Sequence, residues 1–206
     1  MLPRLPSWVD EVLLVDGHSA DGTVETARRL HPGLRVLCQP GSGKGDALKF
    51  GVAQASGDII VTLDADGETD PAELPRFVQP LLDGCDIAKG TRLAGRRPAR
   101  MPGHRWFGNK VLAFTYNALY GTSYTDVCSG YNAFWKDAFL ALSPRYDNCE
   151  MEQELLAKAQ KAGLRVAEVP HESAGRVCGS SKVSGLKQGI IDWWVIVKER
   201  LHAAHG

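Results

Sequence analysis

A chain of 206 residues, 44% of them hydrophobic, is long enough to bury one sizeable core and reads as a single domain spanning 1–206. Its 24 basic residues are balanced by 24 acidic ones, which removes any global pull toward nucleic acid and makes a nucleic-acid partner unexpected. The five cysteines, Cys38, Cys85, Cys128, Cys149 and Cys178, are odd in number, dispersed and without Cys-x-x-Cys spacing, which speaks against a zinc site or a disulfide framework and for a reducing compartment. No stretch approaches the roughly 20 apolar residues that cross a bilayer, and the amino terminus lacks a basic segment followed by an apolar run. The expectation is a soluble or membrane-peripheral, cytoplasmic chain.

Glu11–Val15 is a short apolar run of the kind that forms a buried parallel strand, and Asp21-Gly22-Thr23 then opens a helix carrying Val24, Ala27 and Leu30. Leu34–Cys38 reads as a second strand. The glycine-rich turn Gly41–Gly45 follows it and leads into a helix through Ala47, Leu48, Phe50 and Ala53. A β-branched strand from Asp58 ends at Asp64-Ala65-Asp66-Gly67, and Asp70-Pro71 supplies an N-cap and first helical position for Ala72–Leu82. A shorter strand covers Asp86–Gly90. Beyond a basic, proline-broken loop from Arg96 to Gly103, a helix runs from about His104 to Tyr120. Further helices are expected at 149–163 and 184–202, with a strand at Arg165–Val169 between them. Strands alternating with helices imply an α/β sandwich with a mostly parallel sheet.

Two carboxylates one residue apart at a strand end suit a hard divalent ion, Mg²⁺ or Mn²⁺, which takes one or two protein oxygens and leaves its other positions to water and phosphate. Asp-x-Asp also occurs in ordinary turns, but Asp64 and Asp66 follow an apolar strand and precede a helix entry. Gly41–Gly45 fails the Walker pattern and the dinucleotide fingerprint alike. It remains a turn that brings Lys44 to a helix amino terminus, either to meet a diphosphate or nucleobase or simply to enter the helix. Asp21 is assigned to capping. Asp16, a strand-end carboxylate with no evident local partner, is assigned to ligand contact.

In order and spacing, Asp16-x-x-Ser19-x-Asp21-Gly22-Thr23, Gly43-Lys44-Gly45-x-Ala47-Leu48, Asp64-Ala65-Asp66-Gly67, Gly90-Thr91-Arg92, Asp126-x-x-Ser129-Gly130-Tyr131, Glu168-Val169-Pro170 and Arg176-x-x-Gly179-x-Ser181-Lys182 resemble family-2 glycosyltransferases of the dolichol-phosphate mannose synthase and polyprenyl-phosphate glycosyltransferase type. The resemblance covers nearly the whole chain. It implies a GT-A-like three-layer sandwich, a nucleotide-diphospho-sugar donor, Mg²⁺ or Mn²⁺, and inversion at the anomeric carbon. It places Asp64 and Asp66 on metal and donor diphosphate with Ala65 between them, Asp16 on the nucleoside, and Lys44 on the donor. Arg92 and Arg176 fall on phosphates in the acceptor half, with Ser129 and Lys182 beside them and Asp126 opening the acceptor loop. Residues 1–95 then form the donor half and 96–206 the acceptor half. Glu152 matches the family's acidic position, leaving Glu150 and Glu154 solvated.

One departure stands out: relatives of this type begin with a Val-Ile-Pro-x-x-Asn-Glu strand, for which this chain has no counterpart, so the resemblance implies an N-terminally truncated version of the fold. The reading is a metal-dependent inverting transferase that acts on a polyprenyl phosphate, with membrane contact through Trp106, Phe107 and the last helix. Its rivals are transfer to a saccharide or small-molecule hydroxyl, which needs Asp126 or Glu152 as base, and a catalytically impaired binding module of the same fold.

Overall fold

The computed structural model describes residues 1–94, 98, 101–173 and 185–202. The strands are β1 (Leu13–Asp16), β2 (Arg35–Cys38), β3 (Ile59–Thr62), β4 (Ile87–Thr91), β5 (Asn132–Trp135) and β6 (Val166–Pro170). The α-helices are α1 (Thr23–Leu30), α2 (Lys44–Gln54), α3 (Leu74–Leu82), α4 (Gly103–Tyr120), α5 (Lys136–Leu142), α6 (Met151–Lys161) and α7 (Gly185–Leu201). Asp70 caps as expected, its Oδ1 accepting from Ala72 N at 3.0 Å, but it caps a short 3₁₀ turn, Pro71–Glu73, from which α3 continues.

β1 and β2 form a parallel pair, and the other strands form a four-stranded sheet in the order β3-β5-β4-β6. Within that sheet β4 and β6 are parallel, while β5 runs against both β3 and β4. Three of its strands therefore share one direction. β5 and the helix after it were not expected from the sequence, although β5 is the strand that joins β3 to β4. β3 and β4, from residues 1–95, share this sheet with β5 and β6 from the remainder.

Period-two alternation sends the sheet's side chains into two cores, as the pleat requires. Ile60, Ile87, Phe134 and Val166 face α2, α5 and α6 through Leu48, Val52, Phe139, Met151 and Leu155. Ile59, Ala88, Ala133 and Val169 face the opposite side, where α3 supplies Leu74, Phe77 and Leu81. Helices thus cover both faces, giving the three-layer α/β sandwich. A third cluster joins α4, α6 and α7 through Leu112, Tyr116, Leu156 and Ile196. Between β1 and β3 lies a cleft of about 1020 Å³, lined by both strands and by Leu2, Leu5 and Trp8.

Candidate active site

β3 delivers Asp64 to the end of that cleft, where Ala65, Lys44, Gly130 and Glu152 also line it. Lys44, the first residue of α2, bridges two carboxylates, with Nζ 2.7 Å from Asp64 Oδ1 and 2.7 Å from Glu152 Oε1. Burial works against the ammonium, but Glu152 and Asp64 outweigh it and hold the charged form above its usual stability. Gly130 makes this packing possible, since a Cβ there would lie 2.5 Å from both Asp64 Oδ2 and Lys44 Nζ. Asp66 Oδ1 accepts from Glu68 N at 3.0 Å, and the turn continues through Gly67 in the left-handed region at φ 77°.

At the end of β4, Arg92 meets Asp126 through paired contacts, Nε to Oδ2 at 2.8 Å and Nη2 to Oδ1 at 3.2 Å, and Nη2 also donates to Cys128 O at 2.9 Å. Both side chains are buried. Burial opposes ionisation of Asp126, but Arg92, with help from Lys89 and the Cys128 amide, holds its carboxyl far below the usual carboxylate range. Asp126 Oδ1 also accepts from Cys128 N at 2.8 Å, an Asx-type turn. Glu168 of β6 fixes the approach to this loop by accepting from the amides of Thr125 at 2.8 Å and Asp126 at 3.1 Å. Ser129 is buried, with Oγ 2.9 Å from His171 Nε2. Burial pushes His171 down to about 4, so its ring is neutral at pH 7.

The structure therefore brings Lys44, Asp64, Ala65 and Gly130 together and closes Arg92 on Asp126. Asp16 ends β1 outside the residues that line the cleft. Contrary to expectation it has a local partner, because Oδ2 accepts from Ser19 N at 2.9 Å, and the bonds from Ser19 lower its pKa. Asp21 does cap, accepting from Thr23 N at 3.1 Å. Arg176, Ser181, Lys182 and Cys178 lie outside the described residues, and the four described cysteines are free.

Two glutamates need correction. Glu150 and Glu154 are buried rather than solvated. Glu154 accepts from the amides of Arg145 at 2.7 Å and Tyr146 at 2.9 Å, which makes it the anchor of the loop before α6. Sequence reasoning also missed His171 and Lys89. A lone histidine after a strand carries no spacing signal, and Lys89 sits in an apolar run that reads only as strand.

Asp64 and Asp66 together offer hard oxygens at a partly open strand end. Among the described residues no cluster of three or more His, Cys, Asp or Glu could hold a metal ion by itself. That donor set fits Mg²⁺ or Mn²⁺ bound by one or two carboxylates, with substrate phosphate and water completing the shell. The Lys44 ammonium against Asp64 is further evidence that positive charge is favoured there.

Residues 6–142 match glycosyl transferase family 2. The chain is 32% identical over 170 residues to glycosyltransferase AglJ of Haloferax volcanii, a match covering 82% of this chain and 55% of that protein, little more than half its length. It is 32% identical over 204 residues to the dolichyl-phosphate hexose transferase of the same organism, covering 97% of this chain and 87% of that one. It is 29% identical to the UDP-N-acetylglucosamine–dolichyl-phosphate N-acetylglucosaminyltransferase of Methanococcus voltae, covering 78% and 73%. In fold it matches glucosyl-3-phosphoglycerate synthase from Mycobacterium tuberculosis with a TM-score of 0.75 at 22% identity, covering 96% and 73%. That enzyme has also been solved with Mn²⁺, uridine-diphosphate and phosphoglyceric acid.

Proposed function

The chain belongs to glycosyl transferase family 2, and from that membership we propose that it moves a sugar from a nucleotide-diphospho-sugar onto a polyprenyl phosphate, with Mg²⁺ or Mn²⁺ held by Asp64 and Asp66. The observation that carries the choice of acceptor is the state of the two candidate bases. A hydroxyl nucleophile must lose its proton in the transition state, and a base for it needs a free, proton-accepting carboxylate. Asp126 is buried against Arg92, and Glu152 is held by Lys44 at 2.7 Å. Neither is positioned as a free base. A phosphate acceptor needs none, since it is ionised near pH 7 and requires orientation and charge compensation instead. The two relatives named for dolichyl phosphate support the same reading.

In this reading a bound divalent ion supplies charge neutralisation for the departing diphosphate. Lys44 adds a fixed positive charge beside Asp64, and the buried Arg92–Asp126 pair fixes the acceptor loop from Asp126 to Gly130. Arg176 and Lys182 add cations that offset repulsion between two anionic substrates, and the planar fork of Arg176 suits phosphate oxygens.

The test is incubation of the chain with labelled nucleotide sugars, MnCl₂ and a short polyprenyl phosphate in detergent, with free saccharides as competing acceptors. The reading expects label in the polyprenyl product, with a rate that rises through about pH 6 as the acceptor phosphate ionises and then levels off. Faster transfer to saccharide hydroxyls would replace it with the hydroxyl-acceptor reading.

A further inference from the structure

His171 follows the last residue of β6, and its amide donates to Thr91 O at 3.0 Å, continuing the pairing of β6 with β4. Its ring stands edge-on to Tyr131, 5.3 Å between centroids, and tilted against Phe77 at 6.0 Å, and all three side chains are buried. These aromatic walls fix the plane of the ring, and its hydrogen-bond partners fix the tautomer. Nδ1 lies 3.2 Å from Glu172 O, a carbonyl that can only accept, so Nδ1 carries the proton. In the neutral ring Nε2 is then an acceptor, and at 2.9 Å it takes the proton of the Ser129 hydroxyl. Ser129 Oγ in turn accepts from Tyr131 N at 3.4 Å. Each step has one direction, because the carbonyl at one end only accepts and the amide at the other only donates.

The turn pinned by these bonds is the one that faces Asp64. Ser129 O accepts from Asn132 Nδ2 at 3.0 Å, and Gly130 O accepts from Thr62 Oγ1 at 3.1 Å, two residues before Asp64 in the chain. Gly130 packs so closely on Asp64 Oδ2 and Lys44 Nζ that the turn and the Lys44–Asp64 ion pair cannot move independently. The link therefore runs the width of the four-stranded sheet, from the end of β6 to the end of β3.

We propose that His171 is a positioning residue for the donor end of the site: by holding the Ser129 hydroxyl it sets the Ser129–Gly130 turn against which Lys44 and Asp64 pair. The proposal rests on the reading of Asp64 as a donor-side group. It gives Ser129 a part other than contact with the acceptor, since a hydroxyl whose proton is held by His171 has none to offer a phosphate.

The tautomer is tested by nuclear magnetic resonance of the ring nitrogens in the isotope-labelled full 206-residue chain at pH 7, with His171 identified by its loss in His171→Gln. A protonated Nδ1 and a bare Nε2 are expected, and the opposite tautomer overturns the proposal. In His171→Leu, which removes the acceptor, the amide resonances of Gly130 and Lys44 should both shift. His171→Gln, whose side-chain oxygen takes the same proton, should leave Lys44 close to its parent position. A Lys44 resonance that stays in place in His171→Leu overturns the proposal as well. Mn²⁺ uptake, read from the loss of the free-ion electron paramagnetic resonance signal, should weaken about tenfold in His171→Leu and stay near the parent value in His171→Gln. Combining His171→Leu with Ser129→Ala removes the orphaned hydroxyl, so melting temperature should recover while Mn²⁺ affinity stays low. Recovery of both would make His171 a purely structural residue. Asp64→Asn tests the functional reading separately: uptake equal to that of the parent would remove the ion from Asp64 and sink that reading, while the ring tautomer and the Lys44 resonance still decide the role of His171.

Discussion

The two sides of the cleft are held very differently. β4 lies between β5 and β6 and all of its residues are buried, whereas among the described residues β1 pairs with β2 alone and every position of it is part-exposed. A two-stranded unit is marginal by itself, so β1 and β2 depend on α2 and on the side chains that line the cleft. The β4 side carries Arg92, Asp126, Ser129 and Glu168, whose geometry is fixed by buried and part-buried hydrogen bonds. The open side carries groups that meet solvent, and Lys44, Asp64 and Asp66 stand where the two meet. Precision is thus concentrated beyond β4, and access is concentrated at the cleft.

The largest effect should come from the boundary. Asp66→Asn is expected to lower sugar transfer on the order of 10²–10³-fold, because it removes a proposed ligand of the ion that screens the leaving diphosphate. Melting should stay close to that of the parent chain, since the open rim adds little to stability. Full activity in Asp66→Asn, or in excess chelator, would remove the metal from the reading.

On the closed side, stability and activity should fall together. Asp126→Asn strips Arg92 of its buried partner and is expected to cost about 3–5 kcal/mol in denaturant unfolding. Because the folded-state pKa of Asp126 lies below its unfolded value of 3.8, its contribution is complete above that value and is lost as pH falls through and below it. A variant that melts like the parent at pH 7 would show that the pair adds nothing to the rigid side.

His171 sharpens the contrast with a pH signature. Its folded-state value of about 4 against an ordinary 6.5 means that the unfolded chain binds a proton first as pH drops. Stability therefore declines between those two values by about 3 kcal/mol. His171→Gln should flatten that slope while its amide oxygen still accepts from Ser129. The variant comparison is needed because Asp192, pushed up to about 6 by burial, acts in the opposite direction over part of the same range. Identical slopes in parent and variant would mean that the ring titrates without consequence.

Much of this division can be read in the sequence, and the unread part has a physical cause. Apolar runs followed by Asp-Gly, Gly-Lys-Gly or Asp-Ala-Asp announce β1, β2, β3 and the helices behind them, because strand-to-helix turns need those residue types locally. Asn132-Ala-Phe-Trp135 announces nothing. It is four residues long, passes into α5 without a turn residue, and its partners β3 and β4 lie far away in sequence. The site divides the same way. Lys44 at a helix entry and the Asp64–Asp66 pair are local patterns, whereas the approach of Glu152 to Lys44 and of His171 to Ser129 exists only once β5 has closed the sheet.

The smallest expected effect tests what holds α2 across the boundary. Lys49 of α2 reaches Asp147 at 2.5 Å, but Asp147 is exposed and Lys49 only partly buried, and pairs open to solvent on one side are worth about 0.2–1 kcal/mol. Backbone contact is tighter, with Asp46 N donating to Asp147 O at 3.0 Å. A Cβ on Gly45 would meet Tyr146 O at 2.6 Å and Asn148 O at 2.9 Å, both backbone atoms that cannot swing aside. Lys49→Ala should therefore lower stability by less than about 1 kcal/mol, and less still in high salt. Gly45→Ala should cost several times more, because α2 must back away from the 146–148 loop and carry Lys44 off Asp64 and Glu152. Unfolding curves for the two variants decide the point, and a Lys49→Ala loss equal to that of Gly45→Ala would mean that the exposed ion pair, rather than backbone packing, ties the open side to the closed one.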